Sequence, residues 1–126
     1  ERDSAAKKAF PLQTNLNLIA PHSLKQVVAL VHHSHMYPIS LPPKKLAKKT
    51  EDFIRDFSAD MVIFGHSHKP GVFTQSVGGR NVIFVNPGSA GPKRFQLPVC
   101  CMILHVHSNS KSSEIRAEDF EIVDLK

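Results

Sequence analysis

Residues 61–70 read "MVIFGHSHKP": four apolar residues, then a glycine, then two histidines one residue apart. A short, uninterrupted apolar run of this kind predicts a strand buried on both faces. The glycine allows a sharp turn and a close approach of the backbone to a ligand. The stretch therefore predicts the centre of a sheet and, where that strand ends, a functional site.

Two further segments complete a strand–helix–strand unit around this stretch. "QVVALVH" (26–32) is rich in β-branched residues and predicts a second buried strand. Over residues 44–58 apolar side chains recur at helical spacing, charged side chains occupy the other face, and Pro43 suits a helix start. A strand, a helix and a strand in this order form a βαβ unit, which makes the two strands parallel.

The rest of the chain predicts mainly antiparallel strands. "VFTQSVGGRNVIFV" (72–85) predicts a hairpin with a glycine turn. Residues 99–107 and 114–125 predict a second antiparallel pair. Residues 1–25 carry no sustained periodicity, so we expect an irregular N-terminal segment apart from an apolar patch at 16–20.

Length and composition predict one soluble domain or part of one. The chain has 126 residues, 41% of them apolar and 21% charged. No apolar run approaches the ~20 residues that cross a bilayer, so we expect no membrane partner. The first ten residues lack the apolar core of a secretory signal and an initiator methionine. We therefore expect a chain that is processed or cut from a longer protein.

Charge and cysteine content suggest an ordinary intracellular protein. The net charge is +5, and lysines cluster between residues 44 and 49. No aromatic residues that could stack on bases are interleaved with them, so we interpret them as a solvated helix face and do not expect a nucleic-acid partner. Adjacent Cys100 and Cys101 point to opposite faces of a strand and are poorly placed to bridge. Two reduced thiols predict an intracellular, cytoplasmic location.

Polar side chains follow three of the predicted strands. His32 ends the first, His66 and His68 follow the second, and "NPGS" (86–89) follows the third. Ligands of open α/β sheets bind outside the carboxyl ends of parallel strands. Neutral imidazole binds Zn, Mn, Fe and Ni, so the three strand ends predict half of a site for two divalent metal ions.

The remaining histidines have simpler interpretations. We interpret His105 and His107, on a late strand, as structural residues, since histidines often cap strands and bind loop carbonyls. His22 and His35 are predicted to lie in loops. His33 adjoins a candidate ligand, and both interpretations stay open for it.

Three segments together resemble a known family. "VALVHH", "DMVIFGHSHKP" and "VIFVNPGSAGPKRF" resemble the C-terminal half of a calcineurin-like metallophosphoesterase, over residues 26–106. They are similar to the small bacterial-type phosphodiesterases, whose relatives include the retromer subunit of the same fold. The resemblance implies an α/β fold: the C-terminal half of a four-layer α/β sandwich, a βαβ unit followed by mainly antiparallel strands. We accordingly divide the chain into an irregular segment, 1–25, and that half domain, 26–126.

The resemblance also implies a metal-dependent phosphoesterase, in which hydroxide bridging two metal ions (Mn, Zn, Fe or Ni) attacks a phosphate ester. His32 and His66 would bind the second metal and His68 the first. A separate set of residues would approach the substrate phosphate: Asn86, Ser89 and Arg94. Arg94 could equally be a surface residue.

The family's N-terminal motifs do not occur in this sequence. They are D-x-H, G-D-x-x-D and G-N-H-[DE], which supply the bridging aspartate, the asparagine ligand and the acid histidine. Without a bridging carboxylate the histidines cannot hold two cations close together, so we expect no catalytic residue and little turnover from this chain alone. The expected partners are a phosphate-ester substrate and either the missing N-terminal half or a second copy of the chain. The alternative is a non-catalytic, protein-binding scaffold on the same fold.

Overall fold

The computed structural model of the protein describes six stretches of the chain. These stretches are residues 13–20, 24–31, 39–40, 44–93, 96–106 and 115–125. Among these residues, no helix is both long and apolar enough to span a membrane.

Seven strands and one α-helix make up the described architecture. The strands are β1 (Gln13–Ala20), β2 (Leu24–Val31), β3 (Met61–Phe64), β4 (Gly71–Val77), β5 (Arg80–Asn86), β6 (Cys100–Leu104) and β7 (Phe120–Asp124). The helix α1 spans Lys48–Asp56, and a 3₁₀ turn at Ala117–Asp119 precedes β7.

The first five strands form one sheet in the order β1-β2-β3-β5-β4. β2 and β3 are parallel, as are β3 and β5, whereas β1 and β4 pair antiparallel at the two edges. The predicted βαβ unit and the predicted hairpin β4–β5 are both confirmed. β6 and β7 form a separate antiparallel ribbon, again as predicted.

Other elements cover both faces of the sheet. The central strand β3 is apolar at every position and packs against them on each face. Successive side chains of a strand point to opposite faces. Val62 and Phe64 accordingly belong to one cluster, with Phe53 and Ile54 of α1, while Met61 belongs to the other. Met102, Leu104 and Phe120 of the β6–β7 ribbon complete the second cluster. Helix, sheet and ribbon thus form three layers, an α/β arrangement that fits the expected half sandwich.

The helix is shorter than the sequence predicted. It begins at Lys48 rather than near Lys44, and Ala47 before it has extended backbone. Leu46 already packs in the core from the extended segment, so its burial does not require a helix. At the other end the Ser58 N–H bonds the Arg55 carbonyl at 3.0 Å and Ser58 takes a φ of 49°. This left-handed residue terminates the helix in a Schellman-type cap.

The N-terminal segment differs from the irregular structure predicted for residues 1–25. Gln13–Ala20 forms β1, which pairs with β2 along its full length, from Gln13 opposite Val31 to Ala20 opposite Leu24. The hydrophobic pattern of these residues is too weak to predict a strand. It forms because β2, with β3 on one side, offers an unpaired edge on the other, and strand formation depends strongly on such neighbours.

Candidate metal centre

The parallel strands bring two of the predicted strand ends together at the carboxyl ends of the parallel strands. Phe64 of β3 lies opposite Val31 of β2, and Ile63 lies opposite Val85 of β5. The segments that follow β3 and β5 therefore leave the sheet side by side. The first is the G-H-S-H turn (65–68) and the second is the N-P-G-S loop (86–89). Their predicted proximity is confirmed.

The topology also fixes how these two segments cross. β5 lies between β3 and β4 in the sheet, so the chain from β3 to β4 must pass over the carboxyl end of β5. Residues 65–70 make this passage, and Asn86 is the last residue of β5. Gly71, where β4 begins, lies directly opposite Asn86. Asn86 consequently lies at the strand end that the turn crosses.

The strained backbone of the turn falls on the two histidines. His66 has a φ of 86° and His68 a φ of 62°, while Gly65 has no positive φ. Left-handed backbone at a non-glycine residue costs on the order of 1–3 kcal/mol and persists only where the surroundings impose it. Both histidines remain accessible: His66 is exposed and His68 is half-buried. The glycine expected to make the sharp turn is not the residue that does so.

A buried amide connects the turn to the loop. Asn86 is fully buried, and its Oδ1 accepts the Gly88 N–H at 3.0 Å. Its Nδ2 donates to Ser67 Oγ at 3.1 Å. Ser67 lies between the two histidines and its Oγ also accepts the Lys69 N–H at 3.4 Å. Both of these Asn86 hydrogen bonds are made within the protein. The predicted contact of Asn86 with substrate stays a prediction.

Close packing at Gly88 holds the loop against its neighbours. Gly88 has a φ of 80°, and a Cβ added there would lie 2.6 Å from Cys100 Sγ and 3.2 Å from Pro70 Cβ. The Cys100 thiol donates to the Pro87 carbonyl at 3.6 Å. Only glycine fits this position, because both the backbone conformation and the space exclude a side chain.

The structure also describes two other residues that the sequence analysis singled out, Ser89 and His105. Ser89 is half-buried, its Oγ accepting the Gly91 N–H at 3.2 Å and its carbonyl accepting the Cys100 N–H at 2.9 Å. His105 lies 3.8 Å from Glu121, both exposed on the ribbon. The remaining residues named above fall outside the described part of the chain: His22, His32, His33, His35, Arg94 and His107.

The chemistry of the donors decides whether a metal fits. Within the described stretches, no group of three or more His, Cys, Asp or Glu side chains is placed to hold a metal ion. The turn supplies two accessible imidazoles, and imidazole nitrogen suits Zn²⁺. A zinc site takes three or four protein ligands, so two nitrogens need further ligands from elsewhere. The described residues therefore offer donors to a metal site and do not by themselves complete one.

Comparison with known proteins places the chain in a family. Residues 3–109 match the calcineurin-like phosphoesterase superfamily domain. The chain belongs to this superfamily. The match begins before residue 26, where the motif resemblance starts, which agrees with β1 being part of the sheet. No curated protein matches the chain significantly.

Solved structures show the same fold. A protein of Streptococcus pneumoniae described as a predicted phosphoesterase is similar with a TM-score of 0.51 and 19% identity, over 73% of this chain and 45% of that one. Vacuolar protein sorting 29 from Cryptosporidium parvum gives 0.50 and 24%, over 74% and 43%. A Thermotoga maritima protein gives 0.52 and 20%, over 95% and 58%. The chain spans about half the length of these proteins.

Gly88→Ala is expected to destabilise the protein more than Gly79→Ala. Both glycines have a φ of 80°, but an added Cβ at Gly79 meets nothing within 4 Å. Left-handed backbone costs roughly 1–2 kcal/mol in both variants, and overpacking against Cys100 adds about 1–3 kcal/mol only at position 88. Urea unfolding of the two variants measures the difference. Equal losses of stability would show that the loop does not pack closely on β6.

Proposed function

We propose that this chain supplies histidine ligands to a metal-dependent phosphoesterase site that hydrolyses a phosphate ester, with phosphodiesters as the substrate class. One observation carries the proposal. His66 and His68 are accessible and have strained, left-handed backbone. They follow the carboxyl end of a parallel strand, in a chain of the calcineurin-like phosphoesterase superfamily. Such strain accumulates at functional sites, where it fixes side chains in a productive arrangement.

The proposed roles follow the predicted ones. In the complete domain His32 and His66 bind the second metal and His68 the first, each through a neutral imidazole nitrogen. Ser89 and Arg94 contact the substrate phosphate, for which guanidinium offers paired hydrogen bonds. When bound, divalent cations polarise the phosphoryl oxygens and offset the charge that develops on them. The chain's own contribution is to hold His66, His68 and Ser89 in the segments that follow the parallel strands β3 and β5.

The complete reaction requires more than this chain contains. The D-x-H, G-D-x-x-D and G-N-H-[DE] motifs are absent from its sequence, and it spans about half the length of the structures that share its fold. We therefore assign the hydrolytic activity to a complete domain, in which further carboxylate and histidine groups face His66 and His68.

A second candidate function is a protein-binding scaffold on the same fold. The observation that favours it is the apolar side chains exposed on the β6–β7 ribbon. Ile103 is 44% exposed and Ile122 is 50% exposed, and Leu125 just after β7 is 41% exposed. The register of β6 and β7 places Ile103 on the face of the ribbon turned away from Met102 and Leu104, where a binding partner would cover it. A folded chain that binds neither Mn²⁺ nor Zn²⁺ would favour the scaffold over the phosphoesterase.

Calorimetric titration with Mn²⁺ or Zn²⁺ tests the proposed ligands. We expect the full chain to bind one ion weakly, because two or three imidazoles bind without a carboxylate. The double variant His66→Ala/His68→Ala should lose this binding. His105→Ala removes an exposed imidazole from the ribbon and is the matched control, which should bind as the parent chain does. Unchanged binding in the double variant would place the metal elsewhere.

Hydrolysis by the chain alone should be slight. Two cations need a bridging carboxylate to offset their repulsion, and the sequence provides none in the expected motifs. With bis(p-nitrophenyl) phosphate and excess Mn²⁺, we expect release of p-nitrophenol near the uncatalysed level. Robust turnover that disappears in His66→Ala would show that the chain needs no further carboxylate.

A further inference from the structure

The hydrogen bonds of the Asn86 side chain determine which way its amide faces. The Gly88 backbone N–H can only donate, so the atom 3.0 Å from it must be the carbonyl oxygen of the amide. The amide nitrogen then faces Ser67 Oγ, 3.1 Å away, and donates to it. The assignment follows from the backbone donor alone. Ser67 is thus held by a donor that the N-P-G-S loop itself orients.

This bond acts at the middle of the strained turn. Ser67 is flanked by His66 and His68, which both have left-handed backbone. Its Oγ accepts from Asn86 Nδ2 and from the Lys69 N–H, so a single hydroxyl oxygen receives one donor from the sheet and one from the turn. Fixing Ser67 restricts the torsions on each side of it. Those torsions set the directions in which the two imidazoles leave the backbone.

Asn86 is suited to this task by burial. It is fully buried at the last position of β5, the strand that the turn crosses. In the described part of the chain, every buried side-chain nitrogen and oxygen has a partner. A buried amide that lost Ser67 would be left with an unsatisfied donor, so the pair opposes any relaxation of the turn.

We propose that Asn86 and Ser67 are positioning residues for the metal ligands His66 and His68, and that Asn86 does not contact the substrate. The inference rests on the proposed function, because it assigns the two histidines to a metal. Groups that orient metal ligands through hydrogen bonds typically change metal affinity about 10- to 100-fold when they are removed. Ser67→Ala should therefore weaken binding while leaving both imidazoles in place.

The test compares four forms of the full chain by calorimetric titration with Zn²⁺, which imidazole nitrogen suits. Ser67→Ala removes the acceptor, and we expect its Kd to rise by about 10-fold or more. Ser67→Thr keeps the hydroxyl and should bind nearly as the parent chain does. Ser76→Ala makes the same truncation at an exposed position of β4 and is the matched control. Circular dichroism at 10 °C establishes that each form is folded, which an exposed turn residue such as Ser67 should permit.

The outcomes separate this inference from the proposed function. If the parent chain binds Zn²⁺ and folded Ser67→Ala binds equally well, the positioning role is wrong while the metal site stands. An equal loss of affinity in Ser67→Ala and Ser67→Thr would also overturn it, because the hydroxyl would then not be the cause. If the folded parent chain binds no Zn²⁺, the proposed function fails and this inference fails with it.

Discussion

The hydrogen bond from the buried Asn86 amide to Ser67 is the interaction on which the candidate site depends. It exists because β5 lies between β3 and β4, so the chain must cross the end of β5 and meet its last residue there. A turn with two left-handed histidines would otherwise relax toward ordinary backbone. Sheet order, turn strain and the chemistry of the turn are thus linked through one amide.

Much of the fold could be predicted from the sequence, because local apolar runs and turn residues determine its central strand and its hairpin. "MVIF" is apolar at every position and becomes the buried strand β3, and the paired glycines 78 and 79 make the hairpin turn through positive φ values. The predictions failed where neighbours decide the structure. β1 forms because β2 has an open edge, and Leu46 is buried although it lies before the start of α1.

The site was predictable in its donor types but less so in its arrangement. Imidazoles at strand ends are visible in the sequence, and the parallel pairing of β2, β3 and β5 brings those strand ends to one edge. The hydrogen bond between Asn86 and Ser67 is not predicted by the sequence analysis. Nothing in the turn's own residues indicates a partner 19 positions away in the chain. The signal that could have found it is an asparagine ending a buried strand, since a buried amide needs partners and the turn is the nearest source.

The metal-binding role proposed for the G-H-S-H turn has a direct test. A crystal structure of the full chain grown with Zn²⁺, with anomalous diffraction measured at the zinc edge, tests it most directly. We expect an anomalous peak about 2.0–2.1 Å from an imidazole nitrogen of His66 or His68, with both residues still left-handed and Asn86 Nδ2 still bonded to Ser67 Oγ. A zinc peak bound only elsewhere, or a turn with ordinary right-handed or extended backbone at the two histidines, would contradict it.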